Sequence, residues 1–295
     1  MSTPPDPLDA LREPVRPVTP DPAFAARLRE RVEALVLDPS LPIEEEPMSD
    51  TTTTDSTVRL RPGDLSYTSV WTADADAAAR FYSAVLGWET RSDHGGRGHR
   101  VTNLRTGMGI YGGQSPTLFF AAVVDDVDAA VERVRAAGGT AGEPTEEPYG
   151  RIADCRDDQG LAFAVHEPPP GATSAAPSDM GHPGELAYVA IHVPDTDRAR
   201  AFYGSVLGWG FSPARFPGNF SVEVGGGSPR PTMIGVGQHD GEPAVVPMFA
   251  VRDIHAARDA ARAAGGTCTE PSAAGYATSC DGTDDQGGQF YLGQF

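Results

Sequence analysis

The chain states one long pattern twice, and that repetition constrains its fold more than any other feature. Phe81-Tyr82-Ser83-Ala84-Val85-Leu86-Gly87-Trp88 returns as Phe202-Tyr203-Gly204-Ser205-Val206-Leu207-Gly208-Trp209, an offset of 121 residues. Arg135-Ala136-Ala137-Gly138-Gly139 returns as Arg262-Ala263-Ala264-Gly265-Gly266, and Asp157-Asp158-Gln159-Gly160 as Asp284-Asp285-Gln286-Gly287, both offset by 127. The drift of six residues places one insertion in the second copy, near Phe216 to Pro231. A period of this length exceeds any solenoid unit and matches a whole domain. Two homologous domains are therefore expected, at 64–168 and 184–295, each long enough to bury its own core.

The flanking segments read differently. Residues 1–63 hold five prolines among the first 17, the acidic run Glu44-Glu45-Glu46 and the run Thr51 to Thr54, the composition of a disordered leader. Within it, Asp21 as N-cap, Pro22 at the first helical position and the stripe Phe24, Leu28, Val32 and Leu35 predict a short helix over 21–37. Met48-Ser49-Asp50 resembles an internal start. A Pro, Gly and Ser-rich linker spans 169–183.

Composition excludes several functions. The formal charge of −18 comes without a basic cluster, which argues against nucleic acid and anionic membrane as partners. The chain has no lysine, so Schiff-base chemistry is excluded. Cys155, Cys268 and Cys280 form no CxxC pair and are expected as reduced, structural thiols. With no leader of the secretory kind and no long apolar run, a cytoplasmic location is the expectation.

Each copy spells strand, helix, strands, strand, helix, strands, an α+β arrangement. Leu65 to Thr72 and Leu186 to Val193 alternate as strands. Asp74 and Asp195 cap the helices that follow, and Gly87 and Gly208 close them.

The Phe-Tyr-x-x-Val-Leu-Gly-Trp, Ala-Ala-Gly-Gly and Asp-Asp-Gln-Gly motifs, in that order and twice, resemble the vicinal oxygen chelate superfamily. That group includes glyoxalase I, extradiol dioxygenases and bleomycin-resistance proteins. The resemblance implies two tandem domains, each a pair of βαβββ modules curved around a cleft. It also implies a divalent metal held by His and Glu side chains on the first and last strands of the modules. The corresponding positions hold Tyr67, Phe119 and Ala164 in the first copy and Tyr188, Val246 and Tyr291 in the second. The remaining position, near Met108 to Tyr111 or Met233 to Val236, offers neither carboxylate nor imidazole. A divalent cation needs three or four converging donors, so no metal or other cofactor is expected.

Strand alternation places Tyr67, Ser69 and Trp71 on the face opposite Thr68, Val70 and Thr72, and the aromatic set should line the cleft. Tyr188, Ala190 and His192 repeat this, with His192 at the place of Trp71, so the two clefts differ in specificity. Ligand-binding candidates are Tyr67, Trp71, Phe119, Tyr149, His166, Tyr188, His192, Tyr276 and Tyr291; Tyr149 and Tyr276 match in the loops before the last strands. His94 and His99 read as solvated residues of a Gly-rich loop, whereas Trp88, Trp209, Phe81 and Phe202 read as core. The leading reading is a metal-free binder of a small organic molecule. Its rivals are a lyase, isomerase or dioxygenase of the same superfamily, with a non-standard metal site or Tyr and His acid–base chemistry, and a non-catalytic scaffold. Homo-oligomerisation stays open.

The leader's composition cannot support a core, so a chain beginning at Met48 should melt within about 5 °C of the full chain. A larger fall, roughly 1 to 2 kcal/mol for a chain of this size, would show that the Phe24 to Leu35 stripe docks on the body.

Overall fold

The computed structural model describes residues 57–175, 182–225, 233–274 and 277–295. The expected helix over 21–37 lies outside the described residues. The expected leader ends earlier than residue 63, because β1 (Thr57–Arg59) pairs antiparallel with β11 (Thr173–Ala175), inside the expected linker.

The first half runs β2 (Leu65–Trp71), α1 (Ala75–Leu86), β3 (Thr90–Asp93), β4 (Gly98–Val101) and β5 (Met108–Tyr111). It continues through β6 (Thr117–Val123), α2 (Val127–Ala136), β7 (Thr140–Ala141), β8 (Thr145–Glu147), β9 (Gly150–Arg156) and β10 (Ala162–Glu167). The second half repeats this as β12 (Leu186–Val193), α3 (Thr196–Leu207), β13 (Gly210–Pro213), β14 (Phe220–Glu223) and β15 (Met233–Gln238). Then follow β16 (Ala244–Ala250), α4 (Ile254–Ala263), β17 (Thr267–Cys268), β18 (Ser272–Ala274), β19 (Ala277–Thr283) and β20 (Gln289–Gln294). Each half is one nine-stranded mixed sheet. Their orders correspond: β3-β4-β5-β2-β6-β10-β9-β7, with β8 on β9, and β13-β14-β15-β12-β16-β20-β19-β17, with β18 on β19. No described helix is long and apolar enough to cross a membrane.

The helices begin where the sequence predicts. Asp74 Oδ1 accepts from the backbone N–H groups of Asp76 and Ala77, and Asp195 Oδ1 does the same for Asp197 and Arg198. Gly87 and Gly208 close these helices at φ of 70°, where a Cβ would be strained.

The repeated motifs face the other half of the chain. Tyr82 and Trp88 pack on Phe249, and Phe81 packs on Phe290; reciprocally, Trp209 packs on Phe120, and Phe202 and Tyr203 on Phe163. The Tyr82 hydroxyl donates to Asp284 Oδ2 at 3.2 Å, and the Tyr203 hydroxyl to Asp157 Oδ2 at 3.0 Å. Each carboxylate's other oxygen accepts two backbone N–H groups of its own turn, from Gln159 and Leu161 or from Gln286 and Gly288. The turn glutamines reach across as well: Gln159 brackets the backbone N–H and carbonyl of Asp195, and Gln286 those of Asp74. Trp88 Nε1 donates to the Gly184 carbonyl and Trp209 Nε1 to that of Gly63, both at 2.9 Å.

The second glycine of each Ala-Ala-Gly-Gly turn has a matching cause. A Cβ on Gly139 would stand 2.8 Å from the Phe202 ring, and one on Gly266 equally close to Phe81. Phe81, Phe202, Trp88 and Trp209 are core, as read, but the core they build joins the two domains.

Burial raises both Asp157 and Asp284 above the ordinary carboxylate range, against the lowering effect of the bonds they accept. The folded state then holds each proton more tightly than the unfolded chain, so stability falls as pH rises from 3.8 through the raised values. Asp157→Asn keeps an acceptor for the turn and offers its amide to Tyr203. Its melting temperature relative to the parent protein should therefore climb as pH rises above 3.8, and parallel curves would refute this assignment. Tyr203→Phe leaves a buried carboxylate oxygen without its donor and should cost about 1 to 3 kcal/mol in denaturant titration.

Candidate functional site

Period-2 alternation divides each sheet between two environments. On β2, Val70 joins the main core under the helices, while Tyr67 and Trp71 pack on the opposite face against Phe119, Ala121 and Ala164. Ile152 and Ala162 complete this second, smaller cluster. This cluster lies on the face of the sheet that the alternation of β2 assigns to the expected cleft.

Trp71 and Phe119 stack at 4.5 Å between centroids and 5° between planes. Phe119 is buried, whereas Trp71 keeps part of its surface exposed. The floor is thus packed yet presents an indole. Tyr67 lies across the neighbouring strand: a Cβ on Gly109 would collide with its hydroxyl. Tyr188 lies across Gly235 in the same manner, so the Tyr–Gly pair is a shared device of both clefts. Burial raises the Tyr67 phenol above its ordinary value, with the Ser69 hydroxyl opposing, so it is a neutral donor at physiological pH.

His166 and Tyr149 meet each other. The ring of exposed Tyr149 stands edge-on to that of His166, 5.9 Å between centroids. His166 Nε2 reaches the Tyr149 carbonyl at 3.0 Å and Nδ1 the Ser66 hydroxyl at 2.8 Å. Burial lowers the pKa of this imidazole, which donates from Nε2 and accepts at Nδ1 in its neutral form. Both ring nitrogens are engaged, so His166 pins the hairpin turn between β8 and β9 to β2.

In the second cleft, Tyr291 Oη lies 3.3 Å from His192 Nε2, and the ring of His239 stands 5.6 Å from that of His192. Burial, then His239, lower the pKa of His192, and Asp281 partly opposes them. Burial, then Asp281, push Tyr291 up to about 12. Tyr276 lies outside the described residues. His99 corrects the loop reading: it sits on β4, paired with β3 and β5, and its Nε2 meets Asp76 at 2.6 Å.

Asp154, Asp281 and His239 were not singled out from the sequence. Asp154 pairs with Ala164 and Asp281 with Tyr291, so both carboxylates stand beside cleft positions at matched places of the repeat. The offset of 127 marks that pair. His239 follows β15 and has no partner in the repeat to reveal it.

At the positions that hold the metal in the superfamily, neither cleft supplies a set of donors for a divalent cation. Tyr67, Phe119 and Ala164 bring one phenol between them, and Tyr188, Val246 and Tyr291 bring two, of which Tyr291 is held protonated. Among the described residues, no group of three or more His, Cys, Asp and Glu side chains is placed to hold a metal.

Comparison with known proteins bears on the fold and the family. Residues 64–165 match the Glyoxalase/Bleomycin resistance protein/Dioxygenase superfamily, and residues 186–225 match the bleomycin resistance protein-like N-terminal family. The chain belongs to this vicinal oxygen chelate superfamily and carries two of its domains in tandem. Among curated relatives, the anthracycline biosynthesis protein DauV of Streptomyces is 28% identical over 176 residues, covering 51% of this chain and 62% of that protein. The putative glyoxylase CFP32 of Mycobacterium bovis is 34% identical over 120 residues, 37% of this chain and 45% of that protein. The matches thus span less than two thirds of either relative. Among solved structures, the Mn(II)-bound glyoxalase of Novosphingobium aromaticivorans has a TM-score of 0.60 at 19% identity, covering 79% of this chain and 82% of that one. The 2,3-dioxygenase LapB of Pseudomonas sp. KL28 has a TM-score of 0.56 at 16% identity, covering 81% and 93%. At such identities these structures share the fold.

Trp71→Ala should cost clearly less stability than Trp88→Ala, which removes buried core between the domains and should cost about 3 to 5 kcal/mol. Equal and severe losses in denaturant titration would mean that the Trp71–Phe119 stack is closed core.

Proposed function

We propose that this protein binds a small organic molecule in its clefts and that no metal at the superfamily's usual positions takes part. The observation that carries this reading is the replacement of the metal-ligand positions by Tyr67, Phe119 and Ala164 in one cleft and by Tyr188, Val246 and Tyr291 in the other. These residues supply flat apolar surface with one phenol in the first cleft and two in the second, which suits a planar, partly polar molecule. The relative named for anthracycline biosynthesis supports a ring-shaped ligand of this sort.

The second reading is an enzyme of the superfamily. It draws on the fold shared with a Mn(II)-bound glyoxalase and with ring-cleaving dioxygenases, and on the His192–Tyr291 pair as acid–base chemistry without a metal.

Thermal-shift screening of aromatic metabolites, with and without divalent metals, separates the two, because whatever binds the folded state selectively raises its melting temperature. At a free concentration about a hundredfold above Kd, a ligand should stabilise the protein by roughly 2.7 kcal/mol. Zn, Ni, Fe and Mn should leave the curve unmoved and elicit neither lactoylglutathione-lyase nor ring-cleaving activity. Stoichiometric metal with metal-dependent turnover would establish the second reading in place of the first.

A further inference from the structure

The two clefts have diverged in step at one end. In the first, Trp71 is flanked across the sheet by Tyr111 and Thr117 and stacks on Phe119. In the second, His192 is flanked by Gly237 and Ala244, and Val246 occupies the place of Phe119. Two aromatic rings and a threonine beside or below this position have each given way to a smaller residue. From the far side Tyr291, standing where the first cleft has Ala164, extends its phenol toward His192.

A row across the sheet supports that phenol. Tyr188 pairs with Met248, Met248 with Tyr291 and Tyr291 with Asp281. Tyr188, Met248, Tyr291 and His192 are all half-buried, so the row borders open space. The 3.3 Å between Tyr291 Oη and His192 Nε2 is long for a hydrogen bond between a hydroxyl and an imidazole.

We propose that the second cleft binds a neutral aromatic compound through one hydroxyl group, which lies against both Tyr291 and His192 and replaces their direct contact, accepting from the phenol and donating to Nε2. The inference rests on the small-molecule reading above and names the chemical class for one of the two clefts. A hydroxyl satisfies a donor and an acceptor at once, whereas an ether or ketone can only accept and would leave the imidazole nitrogen unpaired. Burial keeps Tyr291 protonated and His192 neutral, the two states this arrangement needs. Asp281, beside both groups, disfavours an anion. Tyr188 and Met248 provide a flat and a deformable wall for the ring.

The test uses the full chain with two fluorescent probes that differ only at the oxygen: 2-naphthol and its methyl ether, 2-methoxynaphthalene. The protein should bind the naphthol about tenfold more tightly, the effect of one well-satisfied hydroxyl. Tyr291→Phe and His192→Leu should each reduce that preference to near unity, and His192→Gln, which retains an acceptor, should recover part of it. Melting curves of each variant establish that it folds. Equal binding of the two probes by the parent protein, or a preference that survives both substitutions, overturns the inference while leaving the small-molecule reading intact. Saturable binding of neither probe also overturns it, and the wider reading is then decided by the ligand screen.

Discussion

Two buried hydrogen bonds, from Tyr82 to Asp284 and from Tyr203 to Asp157, hold this structure in its form. A carboxylate removed from water is costly unless donors surround it, and each aspartate collects three: two amides from its own turn and one hydroxyl from the other domain. Separating the domains would leave one donor site empty on each side. It would also expose the aromatic clusters around Trp88 with Phe249 and Trp209 with Phe120, and release the indole bonds to Gly184 and Gly63. The main core is therefore continuous across the two halves of the chain.

This arrangement explains why the most legible part of the sequence says least about function. The three repeated motifs meet across the junction, the Phe-Tyr helix end of each half contacting the Asp-Asp-Gln-Gly and Ala-Ala-Gly-Gly turns of the other. A substitution in one must be accommodated by the other, as the approach of Phe81 to Gly266 and of Phe202 to Gly139 shows. The clefts lie on the opposite face of the sheets and are released from that constraint. Trp71 and His192 diverged there, as did Phe119 and Val246, and Ala164 and Tyr291.

Periodicity made the fold and the cleft-facing set of β2 readable, since a strand with one face under helices and the other on a cleft alternates cleanly. It could not reveal which domain a helix packs against, because a buried apolar stripe reads the same whichever partner covers it. Thr57–Arg59 was hidden for a related reason: three residues paired with a short segment of the expected linker carry no hydrophobic pattern of their own. His99 was misread because the glycines around it suggest a loop, while its pairing with β3 and β5 and its contact with Asp76 on α1 are visible only in the folded chain. Asp154 and Asp281 are ordinary polar residues along the chain and gain meaning only from their partners Ala164 and Tyr291 on the adjacent strand.

The clefts that result are unequal. The first presents an indole stacked on a phenyl ring, and the second gathers two imidazoles, a phenol and a carboxylate around smaller neighbours. The shared core makes the two domains one cooperative unit. Differential scanning calorimetry of the full chain tests it most directly: a single transition whose calorimetric and van't Hoff enthalpies agree is expected. Two resolved transitions, or a calorimetric enthalpy about twice the van't Hoff value, would show domains that unfold independently and would contradict it.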